Sequence, residues 1–104
     1  MAMKRKTMDP AIVRHAAAVL KIISHPLRLR LIEGLAGKKQ SVGELIGQLG
    51  CTQVAVSKHL AVLKKAGLVD CHRDRNYRNY FLKRPEVLKV LECVSSGCQK
   101  EHHT

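Results

Sequence analysis

Two sets of residues in this 104-residue chain have types and spacings suited to chemistry. The first is a run of amide, hydroxyl, imidazole and ammonium groups, Thr52, Gln53, Ser57, Lys58 and His59, followed by three guanidinium groups, Arg73, Arg75 and Arg78. Donors and cations of this kind recognise base edges and phosphates. The second is four cysteines, Cys51, Cys71, Cys93 and Cys98, with a terminal pair, His102 and His103. Thiolate and imidazole groups are soft metal ligands, and thiols also carry redox chemistry. Neither set reads as a catalytic centre. There is no Cys-x-x-Cys, no Ser/His/Asp combination and no phosphate-binding glycine loop, and a nucleophile needs such partners. An enzyme is not expected.

Charge narrows the choice. Nineteen Lys and Arg against eight Asp and Glu give a formal +11, which suits a polyanionic partner: DNA, RNA or an acidic membrane surface. No apolar run approaches the roughly 20 residues of a membrane span. The basic start, Met1 to Lys6, leads into no apolar signal core. A cytoplasmic location with no membrane partner is therefore expected, and there cysteines are reduced thiols, ligands or sensors rather than structural disulfides. The aromatic residues Tyr77, Tyr80 and Phe81 all fall in one short segment. A single-stranded RNA platform spreads its stacking residues over a surface, so an RNA-binding accessory protein is the second reading and duplex DNA the first.

The elements that must position these groups follow from periodicity. Thr52 is suited to cap a helix, and Val56, Leu60 and Leu63 repeat at i, i+4, i+7 behind it. Their stripe leaves Gln53, Ser57, Lys58 and Lys64 on the other side, a face suited to the major groove. Gly67 falls where the helix needs a positive φ to end. Upstream, Asp9-Pro10 starts a first helix, and Ser24-His25-Pro26 separates it from a second over 26–36. The polar stretch 37–40 reads as a turn. Ser41-Val42-Gly43-Glu44 is a capping box opening a short helix to Leu49. Two helices joined by a short glycine-containing break make a helix-turn-helix.

Residues 68–73 and 77–82 alternate as two strands around the polar turn Asp74-Arg75-Asn76. That hairpin is a wing, tipped by Arg73, Arg75 and Arg78, with reach to phosphates or the neighbouring minor groove. A last helix opens at 84–86, carries Val87, Leu91 and Val94 on one stripe, and is expected to end at Ser95-Ser96-Gly97. The expected fold class is mainly α with a small β-hairpin, a winged helix-turn-helix spanning 9–98. It is flanked by a flexible basic N-terminus, 1–8, and a tail, 99–104.

Four blocks in order, Ser24 to Ile32, Ser41 to Leu45, Thr52 to Leu60 and Ala66 to Val69, resemble the ArsR/SmtB family of bacterial winged-helix repressors. The resemblance runs from about Val19 to Leu91. It implies a homodimer through the first and last helices, a palindromic double-stranded operator, and release by an inducer. It places Thr52, Gln53, Ser57, Lys58 and His59 in the DNA-reading segment. Gln53 suits adenine, Lys58 suits guanine or phosphate, and Ser57 and His59 suit phosphate or sugar. His59 is alternatively packed beneath the wing.

The sequence departs from the family's sensing patterns. Glu44-Leu45-Ile46-Gly47 has no cysteine where thiolate metal sensors carry Cys-x-Cys. The last helix lacks the Asp and His spacing of the zinc and nickel sensors, and Glu33 stands where persulfide sensors have a cysteine. Cys93 and Cys98 remain, about 140° apart on a regular helix unless the chain turns after Gly97. With a third thiolate from Cys51, Cys71 or a partner subunit they suit As(III), Cd(II) or Zn(II), and His102 and His103 are candidate extra zinc ligands. A reversible disulfide, reaction with a sulfur species, and no sensory role are the alternatives.

Overall fold

The computed structural model describes residues 7–101, the last four, 98–101, by their backbone alone. The elements are α1 (Pro10–Ile23), α2 (Pro26–Gly34), β1 (Gln40–Ser41), α3 (Val42–Leu49), α4 (Gln53–Lys65), β2 (Val69–Asp74), β3 (Tyr77–Leu82) and α5 (Val87–Glu101). Residues 1–6, His102 and His103 lie outside the described residues, as does the side chain of Cys98.

Side chains set the helix boundaries. The Asp9 carboxylate accepts from the Ala11 N–H at 2.8 Å, and Pro10 follows it where no N–H is needed. His25 caps α2, its Nδ1 accepting from the Leu27 N–H at 3.1 Å. The capping box at Ser41 forms in both directions, Glu44 N–H to Ser41 Oγ and Ser41 N–H to Glu44 Oε1. Hydrogen bonding to the Ser41 backbone N–H, and then to the Ser41 side chain, holds the Glu44 carboxyl below its ordinary range. Gly67, at φ 79°, closes α4: its N–H donates to the Lys64 carbonyl while Leu68 N–H reaches back to Leu63. That paired closure requires a left-handed residue, which glycine adopts without strain.

The core lies where α2, α3 and α4 meet the base of the sheet. Leu31, Ile32, Leu35, Leu45, Val56, Leu60, Leu63 and Val69 are sealed from solvent. The stripe read on α4 is thus the buried one.

Three findings differ from the sequence reading. The wing belongs to a three-stranded sheet, order β1-β3-β2, in which Gln40 and Ser41 pair with Tyr80 and Asn79. The stretch read as a polar turn therefore ends in a strand. It also buries Gln40, whose Nε2 donates to the Gly34 carbonyl and to Gln48 Oε1 at 3.2 Å, while its Oε1 has no partner. α2 stops at Gly34, two residues short of the expected end. α5 runs through Ser95-Ser96-Gly97 to Glu101. A helical glycine costs only about 1 kcal/mol, too little to end a helix whose neighbouring backbone bonds are intact. Cys93 and Cys98 therefore sit five positions apart on one continuous helix, about 140° around its axis.

Candidate nucleic-acid interface

The outer surface of α4 is built from its N-terminus. Thr52 is exposed, and its hydroxyl accepts from the Ala55 N–H at 3.1 Å, so it fixes the helix start. Gln53, Ser57 and Lys58 are exposed on α4, opposite the sealed Val56, Leu60 and Leu63. These three are the free polar groups that a helix needs in order to read a groove.

His59 is different. It is half-buried, and its side chain meets α2 and the α2 cap through Arg28 and His25. Arg28 Nε donates to His59 Nδ1 at 3.1 Å, and the His25 and His59 rings lie 4.3 Å apart, tilted by 43°. The same Arg28 donates through a terminal nitrogen to the Ile22 carbonyl at 2.9 Å. One side chain thus joins the last turn of α1 to α4. Accepting from Arg28 leaves the His59 proton on Nε2. Partial burial lowers the His59 pKa, and the nearby charges of His25, Arg28 and Lys58 lower it further. The sequence reading assigns Arg28 no role. Its position in the Ser-His-Pro-Leu-Arg block was the available signal.

The wing carries its arginines as expected. Arg73, Arg75 and Arg78 are all exposed. Arg73 pairs with Arg78 across β2 and β3, so two guanidinium groups share one face of the hairpin. Like charges directly opposite are unfavourable, and an anion between them relieves the repulsion. Arg75 holds the tip at φ 57°, the left-handed region that costs a non-glycine residue about 1 kcal/mol. The face shared by Arg73 and Arg78 also holds Cys71, whose Sγ accepts from Lys64 Nζ of α4 at 3.6 Å. Wing and helix therefore adjoin.

One outward residue was missed: Val54 is 77% exposed. The signal was its place two residues before sealed Val56, which is about 200° around a helix.

The three thiols among the described residues, Cys51, Cys71 and Cys93, lie on different elements. Cys51 is half-buried in the turn before α4, with its Sγ donating to the Leu49 carbonyl at 3.5 Å. Cys71 is half-buried in β2, and Cys93 is exposed on α5. Among the described residues, no three His, Cys, Asp or Glu side chains are grouped as metal ligands.

Four helices leading into a small sheet, with a polar helix face beside a basic hairpin, define a winged helix-turn-helix DNA-binding module. Comparison with known proteins places it more closely. The profile described as bacterial regulatory protein, arsR family, matches residues 25–70. The HTH-type transcriptional regulator YgaV of Escherichia coli is 38% identical over 87 residues, covering 83% of this chain and 88% of that protein. The transcriptional activator HlyU of Vibrio cholerae is 35% identical over 79 residues, covering 76% and 73%. The crystal structure of the transcriptional repressor BigR from Xylella fastidiosa superposes with a TM-score of 0.74 at 32% identity, covering 86% of this chain and 91% of that one. The chain belongs to the ArsR family of bacterial regulatory proteins. It is a DNA-binding transcriptional regulator with a winged helix-turn-helix fold, and no helix among the described residues is long and apolar enough to cross a membrane.

Proposed function

We propose that this protein is a cytoplasmic homodimeric repressor that holds a palindromic operator and leaves it when an inducer acts on its cysteine thiols. The observation that carries the DNA half is the division of α4. Val56, Leu60 and Leu63 are sealed, while Gln53, Ser57 and Lys58 stand free at the helix start. Gln53 pairs with adenine and Lys58 with guanine or phosphate. Ser57 contributes a phosphate or sugar contact, and Thr52 adds its backbone at the helix N-terminus. His59, tied to Arg28, offers only its Nε2–H. Arg73, Arg75 and Arg78 meet phosphates beside the site.

The apolar residues of the first and last helices support the dimer. Ile12, Val13 and Leu20 of α1 and Val90 and Val94 of α5 are between 43% and 61% exposed. A groove of about 450 Å³ between the two helices is lined by Val19, Ile23, Leu68 and Val87. The radius of gyration is 16.2 Å, against roughly 13 Å for a compact chain of this length. A second copy covers those faces, and two α4 helices then enter successive major grooves, about 34 Å apart.

For the inducer, Cys93 and Cys98 are about 140° apart around α5, so a metalloid or metal such as As(III), Cd(II) or Zn(II) takes further ligands from elsewhere in the chain or from the partner subunit. Cys51, Cys71, His102 and His103 are the remaining candidate ligands. The exposure of Cys93 also supports oxidation or reaction with a sulfur species, since accessible thiols are the reactive ones. The test is to add As(III), Cd(II), Zn(II), peroxide and polysulfide to a preformed complex, then repeat with Cys93→Ser and Cys98→Ser. Release by one agent, lost in a serine variant, supports the reading. Release that survives both substitutions contradicts the role of Cys93 and Cys98. Competition with structured RNA is run alongside, and displacement of the DNA by RNA at equal concentration contradicts the choice of duplex.

A further inference from the structure

We infer that Val54 is a specificity-determining residue, reading a thymine methyl group in the operator half-site. The inference rests on the operator-binding role proposed above. The outward side of α4 is polar except for Val54 and the small Ala61. Val54 is 77% exposed, the largest exposure among the exposed large apolar side chains of the described residues. It stands about 200° around the helix from sealed Val56, so no rotation of α4 that keeps the core intact can bury it within this chain. On the outward face it is flanked by Ser57 and Lys58, three and four positions on, and preceded by Gln53. The N-terminal residues of a recognition helix are the ones that reach base edges.

An isopropyl group has no hydrogen bond to offer. The chemistry that recognises it in a major groove is the C5-methyl of thymine, the one apolar group on any base edge. Gln53, beside it, is the amide that pairs bidentately with adenine. Val54 and Gln53 together therefore call for a half-site in which a thymine lies within a step or two of an adenine. The dimer-forming helices leave Val54 free: the uncovered apolar residues of α1 and α5 are on other elements, whereas Val54 shares its surface with the capped, polar start of α4.

The test uses duplex DNA selected by the full-length protein from a random pool. Each thymine of the selected half-site is replaced in turn by deoxyuridine, which lacks only the methyl. For the wild type, one thymine per half-site costs about fourfold in affinity when replaced, the value of one buried methyl. Val54→Ala loses that penalty at that position and binds thymine and uracil duplexes alike. Val54→Thr, of similar shape with a hydroxyl in place of a methyl, falls between. Circular dichroism and thermal melting of both variants match the wild type, since the residue is outside the core. A wild type insensitive to uracil everywhere, or a Val54→Ala variant that keeps the full penalty, overturns the inference while leaving operator binding intact. A wild type that selects no preferred sequence at all overturns both.

Discussion

Removing the Arg28 side chain tests how α4 is held. Arg28 makes two bonds in this fold, to His59 Nδ1 at 3.1 Å and to the Ile22 carbonyl at 2.9 Å. Both acceptors belong to other helices, so Arg28→Ala unties α1 and α4 from α2 together. A hydrogen bond from a charged donor contributes about 1.5–3 kcal/mol. Arg28 is half-buried, so the low end applies, and partial access of water to the abandoned acceptors reduces the sum to about 2 kcal/mol. For a chain of this length that lowers the melting temperature by roughly 8–16 °C, measured at one fixed protein concentration so that self-association is held constant. Arg28→Lys keeps the charge but not the planar fork, which alone spans both acceptors, and recovers less than half of the loss. Paired with His59→Gln in a double-mutant cycle, Arg28→Ala should show a coupling of about 1 kcal/mol. The assay is urea unfolding followed by circular dichroism. A loss below about 0.5 kcal/mol, or strictly additive effects of the two substitutions, refutes the assignment of Arg28 as the tie between these helices.

Three further outcomes are expected. The folded-state pKa of His59 lies below its unfolded value of about 6.5, so the unfolded chain binds more protons in that window. Stability therefore declines as pH falls from about 6.5 toward the folded pKa and levels off below it; His59→Gln should remove that component from melts between pH 5 and 8, and identical profiles would contradict it. Arg75→Gly relieves the left-handed strain at the wing tip and should raise stability by about 1 kcal/mol while weakening binding to every duplex; unchanged melting would remove the strain argument. Ser41→Ala opens the capping box and should cost about 1 kcal/mol in urea unfolding; a loss near zero would mean water caps α3 equally well.

Much of this arrangement was legible in the chain. The α4 stripe, the caps at Asp9, Ser41 and Thr52, and the closure at Gly67 are local signals, with every partner within a few residues. The two-stranded wing was legible for the same reason. β1 was not, because its pairing to β3 spans about 40 residues of sequence and a two-residue strand has no periodicity to detect. The destination of His59 was hidden likewise, since its partner Arg28 is 31 positions away. The end of α5 was misplaced because serine and glycine only weaken a helix; Ser95 returns its hydroxyl to the Glu92 carbonyl at 3.2 Å and the helix continues. Val54 escaped notice because apolar residues were read for the core they fill, and this one fills none.

Binding of wild-type protein and Gln53→Ala to a selected palindromic duplex and to its scrambled counterpart, at one salt concentration, tests the central claim most directly. If paired α4 helices read base edges, the wild type prefers the selected duplex by a factor on the order of 10³ or more. Gln53→Ala then cuts that preference by about 5- to 150-fold per half-site, equivalent to 1–3 kcal/mol, and leaves the scrambled affinity as it was. A wild-type ratio near one, or equal losses on both duplexes, would show that α4 does not read sequence.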